Sequence, residues 1–508
     1  MRLEILVEGV LKVGIITSRA ARKIIEEIVR ESGIDAVILE LPVHAIGMLS
    51  TKTIAKIISA REELKERAAQ SDILLVPGHV EGSTDVIARV VGRPVYKGTV
   101  SPAFIPEILS WLRSGGRLDT VLPAEKVIDL ADYTRKWKVI EAYRISDLVV
   151  PLKPPPMVVV SEIPPGVSLD GLQRLVERLV GDGAEIISIG AGFDDSPEVL
   201  ASKVSIATKA AHGKPVIAEA PTLEHAVSAV KSGAKGVILS ANTALDITHD
   251  SIPRDTFVMV SDGGLDSLLE AVSSLKRKGF YKLALDPSLK PPMLGFVESL
   301  TNYYKIVDLG YPLVFSAANI VEEVQADTHG VHAVLALMAA EVGASFYYVV
   351  EDSYKSYRST AEAVEAVKYA SASLGLKSTR AVMTKLFVVK QPNPPPKPVE
   401  VKGETVKVGY VEPSMDASGY AFIQVDHGRG LIRLTFHPRR GDPVTYEGVH
   451  PNSLLRALVR RFRISEEHAG YIGYELAKAE LALRLGKTYI QDSPVLVPVW
   501  GESDDKGC

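Results

Sequence analysis

The sequence predicts an α/β protein built around a central TIM-type (β/α)8 barrel. A flavodoxin-like parallel-sheet domain precedes it and a small α+β domain follows. Three observations predict this. Eight short apolar runs without polar alternation recur between residues 157 and 352, as expected for strands buried on both faces. Helix-length segments with apolar residues three and four apart separate them, such as Leu169, Leu172, Leu175, Leu179 and Leu265, Leu268, Leu269, Val272, Leu275. About eight such units in roughly 200 residues is the count and size of a closed barrel.

The expected barrel strands are Val158–Ile163, Glu185–Ala191, Pro215–Ala220, Gly236–Ala241, Thr256–Asp262, Tyr281–Pro287, Tyr311–Ala317 and Ser345–Asp352. A last helix, Ser359–Leu374, closes the outer ring. Before the barrel, Leu11–Thr17, Ala36–Leu41, Ile73–Pro77 and Pro94–Lys97 read as strands, each followed by a helical pattern. Such repeats imply an open parallel sheet whose ligands sit at the strand ends. Those ends carry Thr17-Ser18-Arg19, Pro42-Val43-His44, Pro77-Gly78-His79 and Gly98-Thr99. No Gly-x-Gly-x-x-Gly follows the first strand, which argues against a dinucleotide site. Residues 118–150 read as one connecting helix with turns. After the barrel, Met383–Lys390 reads as one more strand. Val406–Val411, Tyr420–Asp426 and Leu431–His437 then form an antiparallel meander, followed by two helices, the second starting near the N-cap Ser465. Proline-rich steps at 153–156 and 391–398 mark boundaries. The expected domains are 1–150, 151–390 and 399–508.

The chain has 508 residues, 46% hydrophobic and 24% charged, with 58 Lys+Arg against 62 Asp+Glu and a formal net charge of −4. That balance gives no basic surface for nucleic acid or anionic lipid. No apolar run approaches the roughly 20 residues of a membrane span, and the first residues lack a signal-peptide order. The one cysteine, Cys508, supports neither a disulfide framework nor a thiolate metal site. A cytoplasmic protein, forming a homo-oligomer, is the expectation.

The carboxyl ends of barrel strands are where such folds keep their sites. Here they read Ser161 and Glu162, Ser188, Glu219, Ser240 and Asn242, Asp262, Asp286, Ser316 and Asn319, Glu351 and Asp352. Carboxylates set within apolar runs, Glu219 and Asp286 above all, need something to face, because a buried unpaired charge is costly. A turn-residue reading of the whole rim is weaker for that reason. His468 with Glu475, seven residues apart on one helix, is better read as structural than as a metal pair. Tyr347-Tyr348 reads as barrel packing, and Tyr354 as a residue placed to stack on a ring at the mouth.

Several stretches carry a resemblance. They are Asp182-Gly183-Ala184-Glu185-Ile186-Ile187-Ser188-Ile189-Gly190, Gly213-Lys214-Pro215-Val216-Ile217-Ala218-Glu219, and Gly233-Ala234-Lys235-Gly236-Val237-Ile238-Leu239-Ser240. Leu285-Asp286-Pro287 with Gly295-Phe296, and Gly310-Tyr311-Pro312-Leu313-Val314-Phe315-Ser316, complete the set. In this order they resemble the pterin-binding barrel shared by dihydropteroate synthases and methyl-tetrahydropterin methyltransferases. With the flanking domains, the chain resembles the archaeal-type dihydropteroate synthase-related proteins. The C-terminal region resembles a small domain of unassigned function joined to proteins of tetrahydromethanopterin-linked methyl transfer.

The resemblance implies a pterin held by Glu219 and Asp286, with Ser240 or Asn242 beside it and Asn319 near its reacting nitrogen. Ser161, Glu162 and Asp262 are further candidates on the rim, and no catalytic residue is assigned. It also implies a transfer of pterin to an arylamine in tetrahydromethanopterin- or folate-type biosynthesis, Mg²⁺ being possible there. The alternatives are a methyl-tetrahydropterin methyltransferase working with a corrinoid protein, or a non-catalytic pterin binder. Departures from the synthases are plain. Their first-strand Asn and Thr-Pro-Asp-Ser-Phe loop read Val160-Ser161-Glu162-Ile163-Pro164-Pro165-Gly166 here. Their Ser-Arg-Lys and Arg-x-His read Ser316-Ala317-Ala318-Asn319 and Val350-Glu351-Asp352. The expected cations are gone, and Lys355 and Arg358 are the candidates to replace them at a phosphate.

Overall fold

The computed structural model describes residues 12–496 except 33–35, 101, 114, 125–126, 128–138, 193, 377–378, 380–381, 383, 391–405 and 410–415. The chain forms two compact units, Met1–Pro392 and Asn393–Cys508.

In the first unit, strands β1 (Val13–Ser18), β2 (Ala36–Leu41), β3 (Ile73–Val76) and β4 (Val95–Lys97) make a parallel sheet in the order β2-β1-β3-β4. Alternate side chains point to opposite faces. Val13, Ile15 and Leu75 therefore pack with the helices Arg19–Ser32 and Ile105–Arg113, while Ile16, Leu39 and Val76 pack with Thr51–Ser59, Glu62–Ala69 and Asp85–Val91. The strand order reverses between β1 and β3.

The end of the expected connecting helix is instead a hairpin, β5 (Glu141–Ile145) and β6 (Leu148–Pro151); residues 125–126 and 128–138 of that stretch lie outside the described residues. Tyr143, Ile145 and Val150 pack against Val158, Ile186, Phe257 and Phe346, which begin or nearly begin four barrel strands. The Tyr143 hydroxyl donates to the Leu283 carbonyl at 2.9 Å. The hairpin thus plugs the amino end of the barrel. The apolar alternation of so short a hairpin is too brief to stand out from a helical pattern.

The barrel strands are β7 (Val158–Ile163), β8 (Ile186–Ile189), β9 (Val216–Glu219), β10 (Gly236–Ser240), β11 (Phe257–Ser261), β12 (Leu283–Asp286), β13 (Val314–Ser316) and β14 (Phe346–Val350). Every one falls inside its expected run. They form one parallel sheet in the order β12-β11-β10-β9-β8-β7-β14-β13. A single bridge, Leu285 to Leu313, joins its ends and nearly closes the barrel. Val158, Val160, Ile186, Ile217, Phe257, Met259 and Phe346 fill the interior; their neighbours Val159, Ile187 and Val258 face the helices. The last helix runs Ser359–Leu376. The described part of 383–390 holds no strand, since Val388 and Val389 are exposed with no partner strand beside them.

The second unit holds a meander of β15 (Gly419–Asp426), β16 (Leu431–Pro438) and β17 (Val444–Gly448), followed by helices Pro451–Arg461 and Glu466–Leu485. Of the expected strand Val406–Val411, residues 406–409 are irregular and the rest lie outside the described residues. Val406 and Val408 are exposed, whereas β17 supplies the third strand. The Ser465 hydroxyl accepts the His468 N–H at 3.2 Å, as an N-cap should. Glu475 is buried and accepts from Lys478 Nζ at 2.6 Å and Tyr489 OH at 2.7 Å, while His468 lies against Asp416. The two are separate structural residues.

Candidate functional site

A cavity of about 530 Å³ opens at the carboxyl ends of the barrel strands. Its polar lining comes from Glu162 on β7, Glu219 on β9, Ser240 on β10, Ser261 on β11, Asp286 on β12, Ser288 after β12, Ser316 on β13, Asn319 after β13 and Tyr348 on β14. Each is an in-facing residue of its strand or the turn that follows it. The fold therefore delivers nine polar residues, from seven strands and the turns after them, to one space.

Asp286 is the best fixed of them. It ends β12 and is 6% exposed. Its Oδ2 accepts the Ser316 hydroxyl at 2.7 Å and the Ser261 hydroxyl at 3.0 Å; its Oδ1 accepts the Ser288 N–H at 2.9 Å. Ser261 is the register partner of Asp286 on β11, so the sheet itself sets that contact. Burial pushes the carboxyl pKa up, and the three donors pull against it. Oδ1 keeps acceptor capacity for a ligand donor.

Glu162 and Glu219 form a second acidic feature. Burial, then the charge of Glu219, raises the Glu162 pKa to about 7; the Tyr348 hydroxyl opposes this and Asp352 adds to it. The same hydroxyl donates to Ser188 Oγ at 2.9 Å. Gly190 makes room for the carboxylate: a Cβ there would sit 2.7 Å from Glu162 Oε1. Glu219 stands on the open side, yet the wall desolvates its carboxylate and raises its pKa, opposed by the Ala191 N–H at 3.4 Å.

The other candidates divide. Ser240 is on the rim, but its hydroxyl accepts the Thr243 N–H at 3.1 Å and caps the helix Ala241–Asp246. Asn319 is on the rim with Nδ2 donating to the Leu289 carbonyl at 2.9 Å, which leaves its Oδ1 as an acceptor. Asn242 is exposed on the short helix and does not line the cavity. Ser161 points to the helix layer, sharing a hydrogen bond with Thr360 at 2.8 Å. Asp262 accepts from the Gly264 N–H at 2.7 Å and the Ser267 hydroxyl at 2.9 Å, and so shapes the turn into the helix Leu265–Arg277.

Neither expected phosphate cation lines the cavity. Lys355 donates to the carbonyls of Glu322 and Val324, the latter at 2.7 Å. Arg358 pairs with Asp182. Glu351 faces outward too, paired with Arg178 at 2.9 Å. Among the described residues no Lys, Arg or His lines the cavity. Among the described residues no group of three or more His, Cys, Asp or Glu is placed to hold a metal, and no helix is long and apolar enough to cross a membrane.

Three polar lining residues escaped sequence reasoning: Ser261, Ser288 and Tyr348. The tyrosine pair splits. Tyr347 is core, its hydroxyl against His332 Nδ1 at 3.0 Å, whereas Tyr348 faces the cavity. The alternation along Phe346–Val350 carried that signal. Tyr354 is 97% exposed and lies off the lining.

Comparison with known proteins adds the following. Residues 415–492 match the family model PterinBD-DUF4346. The chain is also similar to uncharacterized protein MJ0107 of Methanocaldococcus jannaschii, 27% identical over 256 residues; the match spans 46% of this chain and 46% of that protein, about half the relative's length. Among solved structures it is similar to a Yersinia pestis dihydropteroate synthase with a pterine-sulfa conjugate, at 17% identity, 45% of this chain, 96% of that chain and TM-score 0.37. The 7,8-dihydropteroate synthase of Vibrio fischeri matches at 18%, 47%, 98% and 0.37. A Thermotoga maritima phospho-2-dehydro-3-deoxyheptonate aldolase matches at 14%, 46%, 74% and 0.36.

Proposed function

We propose that this protein binds a pterin at the carboxyl rim of its barrel and serves pterin-dependent one-carbon chemistry. One observation carries the reading: a cavity whose fixed polar groups are acceptors, headed by a buried carboxylate held by three donors. A pterin edge offers a ring N–H and an exocyclic amine side by side, a donor pair that suits a carboxylate. Asp286 takes that pair, and Glu219 and the Asn319 carbonyl oxygen face the remaining ring groups. A cavity of about 530 Å³ is of ordinary size for a small-molecule site. The PterinBD description of the family matching residues 415–492 supports the ligand class, as does the resemblance of the barrel strands.

Of the two reactions, the lining favours a methyl-bearing reduced pterin. Among the described residues the cavity lining offers no cation to a leaving diphosphate. Glu162, titrating near neutrality, holds a proton to give to the ring nitrogen as the methyl group leaves for an acceptor and its electron pair stays behind. A corrinoid protein is a fitting acceptor. The second reading, transfer of the pterin to an arylamine, rests on the strand resemblance and requires Mg²⁺ or another cation at the phosphates. In either case the chain works as three domains, 1–150, 151–390 and 399–508.

Calorimetry tests this with hydroxymethyl-dihydropterin, its diphosphate and methyl-tetrahydromethanopterin, against wild type and Glu219→Ala. The methylated pterin binding most tightly is expected. Tightest binding of the diphosphate, dependent on Mg²⁺, transfers the conclusion to the second reading. A folded protein that binds none of them ends the pterin assignment.

A further inference from the structure

The sheet of the second unit turns one face to its two helices and the other to solvent. Ala421, Ile423, Ile432, Leu434 and Phe436 point inward, onto Leu454, Leu458, Ile472 and Leu476. The residues between them point outward. Among these are Tyr420 and Phe422 on β15, 59% and 47% exposed, where a solvated strand face ordinarily carries polar side chains. Tyr420 is the register partner of His437 on β16, and the two rings lie parallel with centroids 4.6 Å apart. Among the described residues β15 is an edge strand, so the other face of the Tyr420 ring meets solvent.

Cationic charge lies beside these rings. Arg439 continues the ladder, its N–H donating to the Ser418 carbonyl at 2.8 Å. It lies two residues beyond His437 and so on the same face. Arg440 follows in the connection to β17. Phe462 packs its ring on Phe436 with centroids 4.8 Å apart, which brings Arg460, Arg461 and Arg463 to this same end of the unit. All five arginines are exposed, and among the described residues none is in an ion pair. Arg429 and Arg433, by contrast, are paired with Glu447, and Arg484 with Glu480. The acids at this end are Asp442, Glu466 and Glu467, with Asp416 turned to the Ser418 and Ser465 N–H groups. The chain-wide charge of −4, which gave no expectation of nucleic acid, averages this local excess away.

We propose that this face binds single-stranded nucleic acid, with bases stacking on Tyr420 and Phe422 and phosphates meeting Arg439, Arg440 and the arginines around Phe462. Every base has a π-face, so exposed rings hold a strand without reading its sequence, and the arginine fork suits phosphate oxygens. Side chains two residues apart on a strand are separated by about 7 Å, so the two rings are distinct platforms. A small molecule would need a pocket that encloses most of its surface; an extended strand does not. An acidic protein would answer the arginines and leave the rings without a role. The site stands independently of the pterin reading.

Fluorescence anisotropy on the full chain tests this with a labelled oligouridylate of about 12 nucleotides, against a labelled oligoglutamate of equal charge. The oligouridylate is expected to bind in the micromolar range at low salt, and the oligoglutamate more weakly. Tyr420→Ala and Phe422→Ala should each weaken the oligouridylate by about 5- to 100-fold, the loss of one stacked base. Replacing Arg439 and Arg440 together by Ala should lower the slope of log K against log salt by about 1.4, for two phosphate contacts on a single strand. Arg484→Ala, which removes a paired cation elsewhere on the unit, should leave affinity within about twofold. Ring variants that bind as wild type overturn the proposal. So does oligoglutamate binding as tightly as oligouridylate, or no oligouridylate binding at low salt. An unchanged salt slope in the arginine variant overturns it even if a ring variant fails to fold.

Discussion

Replacing Asp286 by Asn separates what this residue does for a ligand from what it does for the fold. The shape is kept. The Asn carbonyl oxygen can still accept the Ser288 N–H, and the new amide can donate to Ser261 or Ser316 once those hydroxyls rotate to accept. The fold therefore loses little. It also gains, because burial has raised the folded-state pKa of Asp286. A carboxyl raised in this way binds its proton more tightly in the folded state. It lowers stability at neutral pH, and that cost disappears as pH falls through the folded pKa. Removing the charge removes the cost, so the urea midpoint without ligand is expected to hold or rise. Pterin binding moves the other way. A hydrogen bond to a charged group contributes about 1.5–3 kcal/mol, so the Kd should weaken roughly 10- to 150-fold. Calorimetry with a reduced pterin and urea unfolding on the same preparations measure both. Binding within twofold of wild type would refute the role of Asp286 as the pterin acceptor. A fall in stability as large as the fall in binding would show that its three donors, not the ligand, are what the carboxylate serves.

The remaining predictions concern its neighbours. Glu162 titrates near 7, above its ordinary value, so folded-state stability is expected to fall as pH rises from about 4.5 to 7; Glu162→Gln should flatten that slope in urea midpoints taken across the range. Lys355→Ala and Arg358→Ala should change pterin affinity by less than about twofold, since both cations serve the fold; Arg358→Ala should cost about 1 kcal/mol in urea by releasing Asp182, discounted for the exposure of the arginine. His332, buried and held neutral with its pKa pushed down to about 3, sits between the Tyr347 and Ser359 hydroxyls. His332→Leu should lower stability by about 1–3 kcal/mol for those partners and leave pterin affinity unchanged, which calorimetry at a temperature well below unfolding checks.

Much of the barrel was legible because its strands are buried on both faces, and unbroken apolar runs say so. The phase of each strand was harder. A strand end offers two adjacent polar residues, one facing the cavity and one facing the helices, and only the tilt of the sheet chooses between them. On β7 the pair is Ser161 and Glu162. The structure sends the serine to Thr360 and the glutamate to the cavity. After β14, Glu351 turns outward to Arg178, while Tyr348, read as packing, turns inward. Residues next to a helix start were ambiguous for a second reason. Ser240 and Asp262 are polar because a helix beginning there needs its free N–H groups met, and capping leaves the same residue types at the rim as binding does.

That ambiguity explains why the cations misled as well. Lys355 and Arg358 follow the eighth strand, where a phosphate site would want them, yet Lys355 closes the carbonyls of Glu322 and Val324 and Arg358 answers Asp182. Charge at the right place in the chain is satisfied locally whenever a helix end or an acid lies nearer than the cavity. What survives this competition is informative for that reason. Asp286 could have been neutralised by a neighbouring Lys or Arg; it is met instead by two hydroxyls and one backbone N–H, which fix its direction and leave its charge uncancelled. A carboxylate oriented but not neutralised in a buried cavity is arranged for a donor that arrives from outside, and the flat donor edge of a pterin meets that requirement without a cation from the protein.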